Sequence, residues 1–547
     1  GDAPADEEES KAPARAAGGA GSAVGSTTSI GSSMTKTSLD KMSSTRSTSE
    51  TSSNTSHASE VREPERNWRF TQWFKKMPSE ENMPEADVLS AVEFDRNGEF
   101  LATGDKGGRV VVLRADDSKQ QSGKVHYTFH CEFQSHDPEF DYVRSQAIDE
   151  KINKIKWCEP SNNAQFMLTT NDRAIKLWKL HEKEVKFASG FNLMNDRGQT
   201  KPNKKLRHLK LPKLEVVETL VTATPKRFYS PDIHKFNIHS LCVNTDGETF
   251  LSADNLYINQ WHLDRPDISY NIVNIKPEDM QKLTEVITVA ETDTSNCHTF
   301  MYGTNRGVIR LGDLREKALN DMPSREFTDP ALEALDRKAA SATGGAAYSN
   351  RPFLSEMLRS ISDIKFSQNG RFIVARDYMT VKIWDTAMEK RPVETIAIHE
   401  YLGPKLWDLY ENEYIFDCFD VAVSKRGDIL TGSYNNFFHI YDLDHRSDTI
   451  VEASKPPIAT SAIVPASGSS RDSSKSVKKK RLSRPGIVSL LGRKKKTKDG
   501  KVDNNEALAN LDVHSLNYDK RVLQLAWHPD CNAVAVAGEN NLFIYAR

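Results

Sequence analysis

The sequence predicts an all-β fold, a ring of seven small antiparallel sheets known as a β-propeller. Three observations lead to this prediction. The stretch between residues 67 and 546 contains seven successive strand–turn–strand–turn–strand units. Four of these units carry a glycine-containing turn at the same place, between the first and second strands. The third strand of several units ends in a Trp or Tyr followed by a polar residue.

The units are regular enough to be placed one by one. Their first strands contain residues 92–94, 155–157, 240–243, 286–290, 363–366, 420–423 and 523–527. The turns are Asn97-Gly98, Asp246-Gly247, Asn369-Gly370 and Arg426-Gly427. Asn-Gly and Asp-Gly supply the positive φ that a tight hairpin turn needs. The third strands end in Leu-Trp-Lys at 177–179, Gln-Trp-His at 260–262, Ile-Trp-Asp at 383–385 and Ile-Tyr-Asp at 440–442. Repeated short strands with this ending are typical of a WD-repeat propeller.

A propeller must close its ring, because closure protects the edge strands of the sheets. The segment 67–74, Asn-Trp-Arg-Phe-Thr-Gln-Trp-Phe, alternates roughly with period two and precedes the first unit. We expect it to pair with the last blade and close the ring; a surface strand without a closing role is the alternative. The chain then divides into residues 63–446, with the closing strand and blades 1–6, and residues 513–547, with blade 7.

One long insert, residues 181–234, interrupts the regular spacing after the second unit. Two extended runs within it, 185–191 and 206–222, flank a polar turn around 195–205. This arrangement predicts a long β-hairpin that projects from the second blade. Because exposed apolar area and unpaired strand edges are liabilities, such a hairpin should have a partner.

Three segments have compositions that are typical of tails and loops. Residues 1–62 are rich in Ser, Thr, Ala and Gly, residues 447–512 combine Ser with Lys and Arg, and residues 336–350 are rich in Ala and Gly. Such segments cannot bury enough apolar surface to offset the entropy of ordering, so we expect disorder. No apolar run approaches the roughly 18 residues that span a bilayer, and residues 1–9 are not typical of a secretory signal. The sequence therefore predicts no transmembrane segment and a cytoplasmic location.

The net charge of −2 conceals an asymmetry along the chain. Residues 471–501 contain 13 Lys or Arg and 2 Asp or Glu, a local charge of +11, which leaves −2 − 11 = −13 on the rest. An acidic body favours basic partners and argues against specific nucleic-acid binding.

No motif for bond chemistry is recognisable. The Gly104–Gly108 stretch lacks the order of a phosphate-binding loop and joins two strands, so it is predicted to be a blade turn. The six cysteines form no C-x-x-C pair, and we expect them to be mostly buried thiols. We interpret His136, His239 and His399 as packing residues. The sequence predicts a protein that is not an enzyme and that holds no cofactor or metal.

Several longer runs lie partly outside the generic repeat. They are Leu101–Val110, Ser135–Ser145 with Asp149–Asn153, Leu283–Ile287, Arg391–Thr395, His399–Leu402 and Gly432–Phe437. These runs resemble the B-type, 55-kDa regulatory subunits of the serine/threonine protein phosphatase 2A. The resemblance covers about residues 67–446 and 514–546.

The resemblance implies a non-catalytic subunit of a heterotrimer. It implies a helical-repeat scaffold subunit and a metal-dependent phosphatase catalytic subunit as partners, with the hairpin of the second blade gripping the scaffold. It further implies that one face of the propeller recruits phosphoprotein substrates. The residues of this sequence that match the recruitment surface are Glu85, Lys106, Leu283, Val286, Tyr410 and Phe416, and the acidic Asp254 and Glu413 are further candidates. If Leu283 and Val286 lie on a helical turn, they share one side of it and form an apolar seat for an amphipathic helix with basic flanks.

Several positions depart from the family pattern. Asn255 and Gln281 stand where the family has acidic residues, and Cys418 stands where a Lys is usual. Asp254 is expected to replace part of the charge that is missing at Asn255. Phe236 and Asn237 also differ from the family, so we expect a recruitment groove with a different charge pattern.

Two other functions stay open at this point: a generic WD-repeat adaptor, such as the substrate receptor of a ubiquitin ligase, and a propeller enzyme. The basic run 478–498 has three interpretations, namely a bipartite nuclear-import signal, a loose contact with anionic membrane or nucleic acid, and a solvated loop. The first would add a nuclear location to the cytoplasmic one. Ser483 within this run has the form of a basophilic kinase site.

Overall fold

The structure is a computed structural model of the chain. It describes residues 68–75, 85–116, 125–161, 164–189, 211, 213–320, 323–330, 351–454, 513, 516–530 and 532–547. The predicted tail 1–62, the loop 336–350 and the stretch 455–512 with Ser483 lie outside the described residues.

Seven four-stranded antiparallel sheets form the blades of a propeller, which confirms the predicted fold class. Blade 1 consists of β2 (Leu89–Phe94), β3 (Phe100–Asp105), β4 (Arg109–Ala115) and β5 (Tyr127–Gln134), and blade 2 of β8 (Lys154–Ser161), β9 (Ala164–Thr170), β10 (Ile175–Ser189) and β11 (Lys213–Tyr229). Blade 3 consists of β12 (Ser240–Val243), β13 (Thr249–Ala253), β14 (Tyr257–His262) and β15 (Arg265–Asn274). Blade 4 consists of β16 (Ile287–Thr292), β17 (Thr299–Thr304), β18 (Ile309–Asp313) and β19 (Arg325–Phe327).

Blades 5 and 6 consist of β20 (Ile361–Phe366), β21 (Phe372–Asp377), β22 (Thr380–Asp385) and β23 (Glu394–Ala397), and of β24 (Val421–Val423), β25 (Ile429–Gly432), β26 (Phe437–Asp442) and β27 (Ser447–Glu452). Blade 7 combines β28 (Leu525–Trp527), β29 (Ala533–Gly538) and β30 (Asn541–Ala546) with β1 (Arg69–Lys75). A two-stranded hairpin, β6 (Glu139–Asp141) and β7 (Gln146–Ile148), follows blade 1, and the described helices are α1 (Arg351–Leu358) and α2 (Leu406–Glu411).

The ring closes through β1, the first of the described strands. Strand β1 pairs antiparallel with β30, from Arg69 opposite Ala546 to Lys75 opposite Asn541, which confirms the closing role predicted for this segment. The Gln72 side chain then joins blade 7 to blade 1. Its Nε2 donates to the Tyr127 carbonyl at 2.6 Å, and its Oε1 accepts from the Tyr127 N–H at 2.9 Å. The first and the last of the described strands therefore lie in one sheet.

The core lies between neighbouring blades, where the aromatic residues at the strand ends interlock. Trp261 is fully buried and stacks on Phe250, with ring centroids 6.1 Å apart and an interplanar angle of 7°. Trp384 of blade 5 meets Phe327 of blade 4 edge to face at 5.8 Å. Such aromatic pairs add about 0.5–1.5 kcal/mol beyond the area that they bury.

The predicted glycine turns all adopt the required conformation. Gly98, Gly247, Gly370 and Gly427 have φ between +66° and +96°. At Gly98 a side chain would also collide with the ring of His528, which belongs to blade 7. Glycine at this position therefore serves both the local turn and the contact between two blades.

The insert is a hairpin, as predicted, and it grows directly out of blade 2. Strands β10 and β11 pair from Ile175 opposite Tyr229 to Ser189 opposite Lys213. The inner neighbour β9 pairs with β10 only as far as Leu180, so the remainder of the hairpin extends beyond the sheet. Residues 190–210 and 212 lie outside the described residues.

One predicted boundary is wrong. The basic insert was expected to begin at residue 447, but Ser447–Glu452 is β27, the outer strand of blade 6. It pairs with the whole of β26, from Phe437 opposite Glu452 to Asp442 opposite Ser447. The run Asp-Thr-Ile-Val-Glu contains β-branched residues, and Val451 is buried against blade 7. Covering β26 stabilises this stretch despite its polar ends.

Candidate functional site

Chain topology places all the described candidates for the recruitment surface on one face of the ring. Because consecutive strands alternate in direction, the turn between the second and third strands lies at the same edge as the connection to the next blade. Backbone hydrogen bonds join these two kinds of segment. The N–H of Gly107, in a turn, donates to the carbonyl of Ala86, in a connection, at 2.8 Å. The N–H of Asn305 donates in the same way to the carbonyl of Val286 at 3.1 Å. We call this side the top face.

On blade 1, Glu85 and Lys106 form an exposed ion pair. The Nζ of Lys106 lies 2.8 Å from Oε1 of Glu85, whose side chain is 83% exposed. The hydrogen bond from Lys106 lowers the pKa of Glu85, so the carboxylate stays ionised at neutral pH. Since exposed pairs contribute little to stability, this pair remains available to a charged partner.

Leu283 and Val286 lie at the start of blade 4, and both are half-buried. They do not share a helical turn, so that expectation is wrong. A 3₁₀ turn covers only Met280–Lys282, and Leu283 follows it with extended backbone, φ −65° and ψ 116°. The Asn305 side chain accepts a hydrogen bond from the Val286 N–H at 3.0 Å and holds this segment extended. We keep the name apolar seat for these two residues.

The neighbouring positions 254 and 255 differ sharply in exposure. Asp254 is fully buried, so its assignment to the recruitment surface is wrong. It accepts hydrogen bonds from the Leu256 and Tyr257 N–H groups at 2.8 and 2.7 Å, and it lies 3.0 Å from Nδ1 of His234. Burial acts to raise the pKa of Asp254, but these donors outweigh it and hold the pKa below its ordinary value. Asp254 fixes the turn and cannot replace an acidic side chain in the groove.

Asn255 and Gln281 stand near the apolar seat. The Asn255 carbonyl accepts from the Ile287 N–H at 2.8 Å, which places its half-buried side chain beside the start of β16. Gln281 is exposed on the 3₁₀ turn, whose N-terminus is capped by the Asp279 side chain. Two neutral amide side chains therefore occupy positions where the family resemblance predicts carboxylates.

Blade 6 contributes the largest exposed aromatic surface of the candidate site. Helix α2 carries Trp407 and Tyr410, and a second 3₁₀ turn, Tyr414–Phe416, carries Phe416. The Tyr410 ring lies 5.6 Å from that of Trp407 and 6.2 Å from that of Phe416. Trp407 is 42% exposed and Phe416 56% exposed. We call these three residues the aromatic ridge.

The segment that carries the ridge has exposed carboxylates on its surface and buried apolar side chains beneath its rings. Four exposed carboxylates lie on the same connection between blades 5 and 6, namely Glu400, Asp408, Glu411 and Glu413. Glu413 begins the second turn with a left-handed backbone, φ 62°. Leu409 and Ile415 are buried beneath the rings in one apolar cluster. Cys418, at the end of this segment, is exposed.

The chain segment that returns to blade 7 supports the ridge from the side. The Tyr414 hydroxyl donates to Asp519 at 2.5 Å, and Nη1 of Arg521 lies 2.5 Å from Oδ1 of Asp417. The Lys405 ammonium group stands 5.6 Å from the ring centre of Tyr518. The ridge is thus a joint product of two segments that are about a hundred residues apart.

Sequence reasoning identified Tyr410, Glu413 and Phe416 but missed Trp407. A signal was available, because Trp407 lies outside the strand ends where the repeat places its aromatics. The Nε1 of Trp407 donates to Glu411 at 2.7 Å, and the residue remains 42% exposed.

The histidines do not form a reactive site. Burial lowers the pKa of His136 to about 3 and that of His239 to about 4, and it holds the pKa of His399 well below the ordinary value. His399 bonds to the Ser433 hydroxyl at 2.9 Å and to the Tyr378 carbonyl at 2.7 Å. These are hydrogen-bonded packing residues, as predicted. In the described part of the chain, no group of three His, Cys, Asp or Glu side chains is arranged to hold a metal ion.

The axis of the propeller contains a cavity of about 630 Å³ lined by the first strands of the blades. Its charged side chains form ion pairs across blades. Lys156 lies 2.7 Å from Glu93, Lys365 lies 2.5 Å from Glu291, and Lys154 lies 3.2 Å from Asp420. We call these residues the axial charge network.

The fold defines a seven-bladed β-propeller whose top face exposes aromatic and acidic side chains. The family model of the WD domain, G-beta repeat, matches residues 356–385. The chain is 40% identical to the protein phosphatase PP2A 55 kDa regulatory subunit of Drosophila melanogaster, over 88% of this chain and 87% of that protein. It is also 40% identical to the serine/threonine-protein phosphatase 2A regulatory subunit phr2AB of Dictyostelium discoideum, over 88% of this chain and 98% of that protein. The chain therefore belongs to the family of 55-kDa regulatory subunits of protein phosphatase 2A, and it has a regulatory, non-catalytic role.

A more distant likeness exists among solved structures. The Raptor protein of Chaetomium thermophilum aligns with a TM-score of 0.44 at 10% identity, over 88% of this chain and 29% of that one. This likeness is too weak to bear on function. Among the residues that the structure describes, no helix is both long and apolar enough to cross a membrane.

Proposed function

We propose that this chain gives a heterotrimeric serine/threonine phosphatase its choice of substrate. In this proposal it binds a helical-repeat scaffold subunit and a metal-dependent catalytic subunit, and its top face holds phosphoproteins. The observation that carries the proposal is the aromatic ridge, where exposed rings and four exposed carboxylates lie on one connection between blades. Aromatic anchors within a charged rim are typical of protein-binding hot spots.

The chain itself would make and break no bond. It would tether a phosphoprotein so that the phosphate reaches the catalytic metals of another subunit at high effective concentration. The Glu85 and Glu413 carboxylates are both exposed and lie on the top face. They would speed the encounter with basic segments near a phosphorylation site. The apolar seat would receive apolar side chains of the same segment.

The hairpin of blade 2 is the proposed contact to the scaffold. Beyond Leu180 it has no further strand of its own blade to pair with β10. Leu211 and Leu214 are 82% and 69% exposed, which is typical of a surface that a partner covers.

A co-purification experiment tests this proposal. The intact chain is compared with a variant in which residues 183–220 are replaced by a short Gly/Ser turn that joins Glu182 to Val221. These two residues face each other in the hairpin, and Val221 packs against the core between blades 1 and 2, so the propeller should be preserved. We expect the intact chain to recover a helical-repeat scaffold and phosphatase activity, and the variant to lose both.

A second variant, Phe416→Ala, serves as the matched control. It should retain the scaffold and the phosphatase activity but lose phosphoprotein capture. If the intact chain recovers neither scaffold nor phosphatase, the proposal is wrong. Recovery by the hairpin variant would reject the hairpin contact alone.

We also propose that the protein is cytoplasmic and that the basic run 478–498 gives it access to the nucleus. Fluorescence microscopy of the tagged chain, before and after Lys478, Lys479 and Lys480 are replaced by Ser, checks this. A distribution that does not change would contradict the role in import.

A further inference from the structure

We propose that this chain carries its own competitor for the top face: residues 478–498 dock on the aromatic ridge of the same molecule. This inference rests on the proposed function in one respect: the molecules that residues 478–498 would displace from the ridge are phosphoprotein substrates. The contact itself concerns this chain alone. The occupant is a segment outside the described residues, and the receiving surface is fully described.

The attachment points of the stretch 455–512 place it beside the ridge. Asn436, in the top-face turn between β25 and β26, holds both ends. Its carbonyl accepts from the Ala453 N–H at 2.8 Å, just before the stretch, and its N–H donates to the Lys520 carbonyl at 3.1 Å, just after it. The returning segment is the one that supports the ridge through Asp519 and Arg521. The stretch therefore leaves and re-enters the fold on the face that carries the ridge.

Charge and apolar content are complementary between segment and surface. Residues 478–498 contain ten Lys or Arg and no Asp or Glu. Between the two basic clusters lie apolar residues, namely Leu482, Ile487, Val488, Leu490 and Leu491. The ridge has apolar surface with the opposite charge: two exposed rings, Trp407 and Phe416, and four exposed carboxylates on the same connection between blades. Apolar side chains flanked by cations match rings flanked by anions.

Covalent geometry permits the contact. Residue 488, the middle of the segment, lies 34 residues after Ser454. At roughly 3.3–3.6 Å per residue this connection reaches at most about 120 Å. Tethering at this range supplies an effective concentration of the order of 1 mM. A segment that binds as a free peptide with a Kd of about 0.1 mM would therefore weaken any competitor about tenfold. Modest affinity is enough for regulation in this geometry.

The first test measures a labelled synthetic peptide of residues 478–498 by fluorescence anisotropy. It is titrated with the full chain and with a full-chain variant whose ten Lys and Arg between 478 and 498 are replaced by Ser. We expect the peptide to bind the variant five- to tenfold more tightly, because the internal competitor has been removed. Equal affinity for the two proteins would overturn the proposal.

Two further variants in the Ser-substituted chain locate the binding surface. Trp407→Ala with Phe416→Ala is expected to weaken the peptide at least fivefold. Tyr270→Ala, which removes a 60% exposed ring from the outer strand of blade 3, is the matched control and should bind normally. Equal losses in both would mean unspecific binding and would reject the ridge as the site. A peptide phosphorylated at Ser483 should bind at least fivefold more weakly, since phosphate adds nearly two negative charges.

The second test uses the full chain with a photo-crosslinking benzoylphenylalanine in place of Trp407. We expect crosslinks to residues 478–498 whose yield does not change on dilution, because the contact lies within one molecule. Crosslinks that vanish on dilution would indicate a second copy, and the absence of crosslinks to this segment would also overturn the proposal. Neither test contains a phosphatase, so failure here leaves the co-purification result intact, and the converse also holds.

Discussion

The axial charge network offers a quantitative test of how the ring is held together. Lys365 of blade 5 pairs with Glu291 of blade 4 at 2.5 Å, and its side chain is 28% exposed. At an effective dielectric constant of about 20, two unit charges at this distance attract by about 6–7 kcal/mol. Desolvation of both groups offsets part of that attraction. We expect Lys365→Met to lower the free energy of unfolding by about 3 kcal/mol, at the low end for a broken buried pair because water reaches the axis.

The expected loss depends on pH. Burial alone would lower the pKa of Lys365, but the charges of Asp363 and Glu291 raise it well above the ordinary 10.5. Burial would likewise raise the pKa of Glu291, but the charges of Lys365 and Lys156 hold it below the ordinary 4.5. The lysine therefore contributes stability that is complete below pH 10.5 and is lost as pH rises through the folded pKa. The carboxylate contributes stability that is present above pH 4.5 and is lost as pH falls through the folded pKa. The difference between wild type and variant should be largest between these values.

Urea unfolding followed by tryptophan fluorescence measures the change at pH 7 and at pH 4. Lys425→Met is the matched control, because Lys425 pairs with Asp530 at the surface, where both side chains are about half exposed. Exposed pairs contribute about 0–1 kcal/mol. If Lys365→Met costs no more than Lys425→Met at pH 7, or if its cost grows toward pH 4, the reasoning is wrong.

Three further predictions concern the top face. Gly432→Ala should destabilise the chain by about 1–3 kcal/mol, because the added methyl group would overlap the carbonyl oxygen of Val522. Gly403→Ala is the control, since a methyl group at Gly403 meets no atom within 4 Å; it should change stability by no more than about 0.5 kcal/mol in the same urea titration. Asp254→Ala should cost about 3 kcal/mol of stability and should affect every partner alike; selective loss of phosphoprotein binding would contradict its structural role. Replacing both residues of the apolar seat by Ala should weaken phosphoprotein capture severalfold in a pull-down while scaffold binding stays intact, and joint loss of both would mean that the seat is core.

The features that could be predicted are those that depend on short stretches of chain. The positive φ at Gly98 follows from Asn97-Gly98, and the hairpin follows from two extended runs around a polar turn. The pairing of β1 with β30 could be predicted because a ring has to use its first strand or leave an edge open. Family resemblance indicated the candidate residues of the proposed recruitment surface by position.

The two errors at the top face share one cause, since burial and backbone direction there depend on side chains about twenty residues away in the chain. Asp254 looked like an accessible acid, but His234 and two N–H groups of its own turn enclose it. Leu283 and Val286 have helical spacing, but the Asn305 side chain of the next turn keeps that segment extended.

The sequence by itself determined the class of fold, the seven repeats, the position of the hairpin and the family, because period-two alternation and turn residues act locally. Only the tertiary structure decided which polar residues of the top face are exposed and which support it. The aromatic ridge shows the reason most clearly. Its rings lie on helix α2 and the turn that follows, but the groups that fix that turn, Asp519 and Arg521, come from the segment that returns to blade 7. Contacts between such distant segments arise only in the assembled ring, and the short stretches of sequence that form the ridge do not encode them.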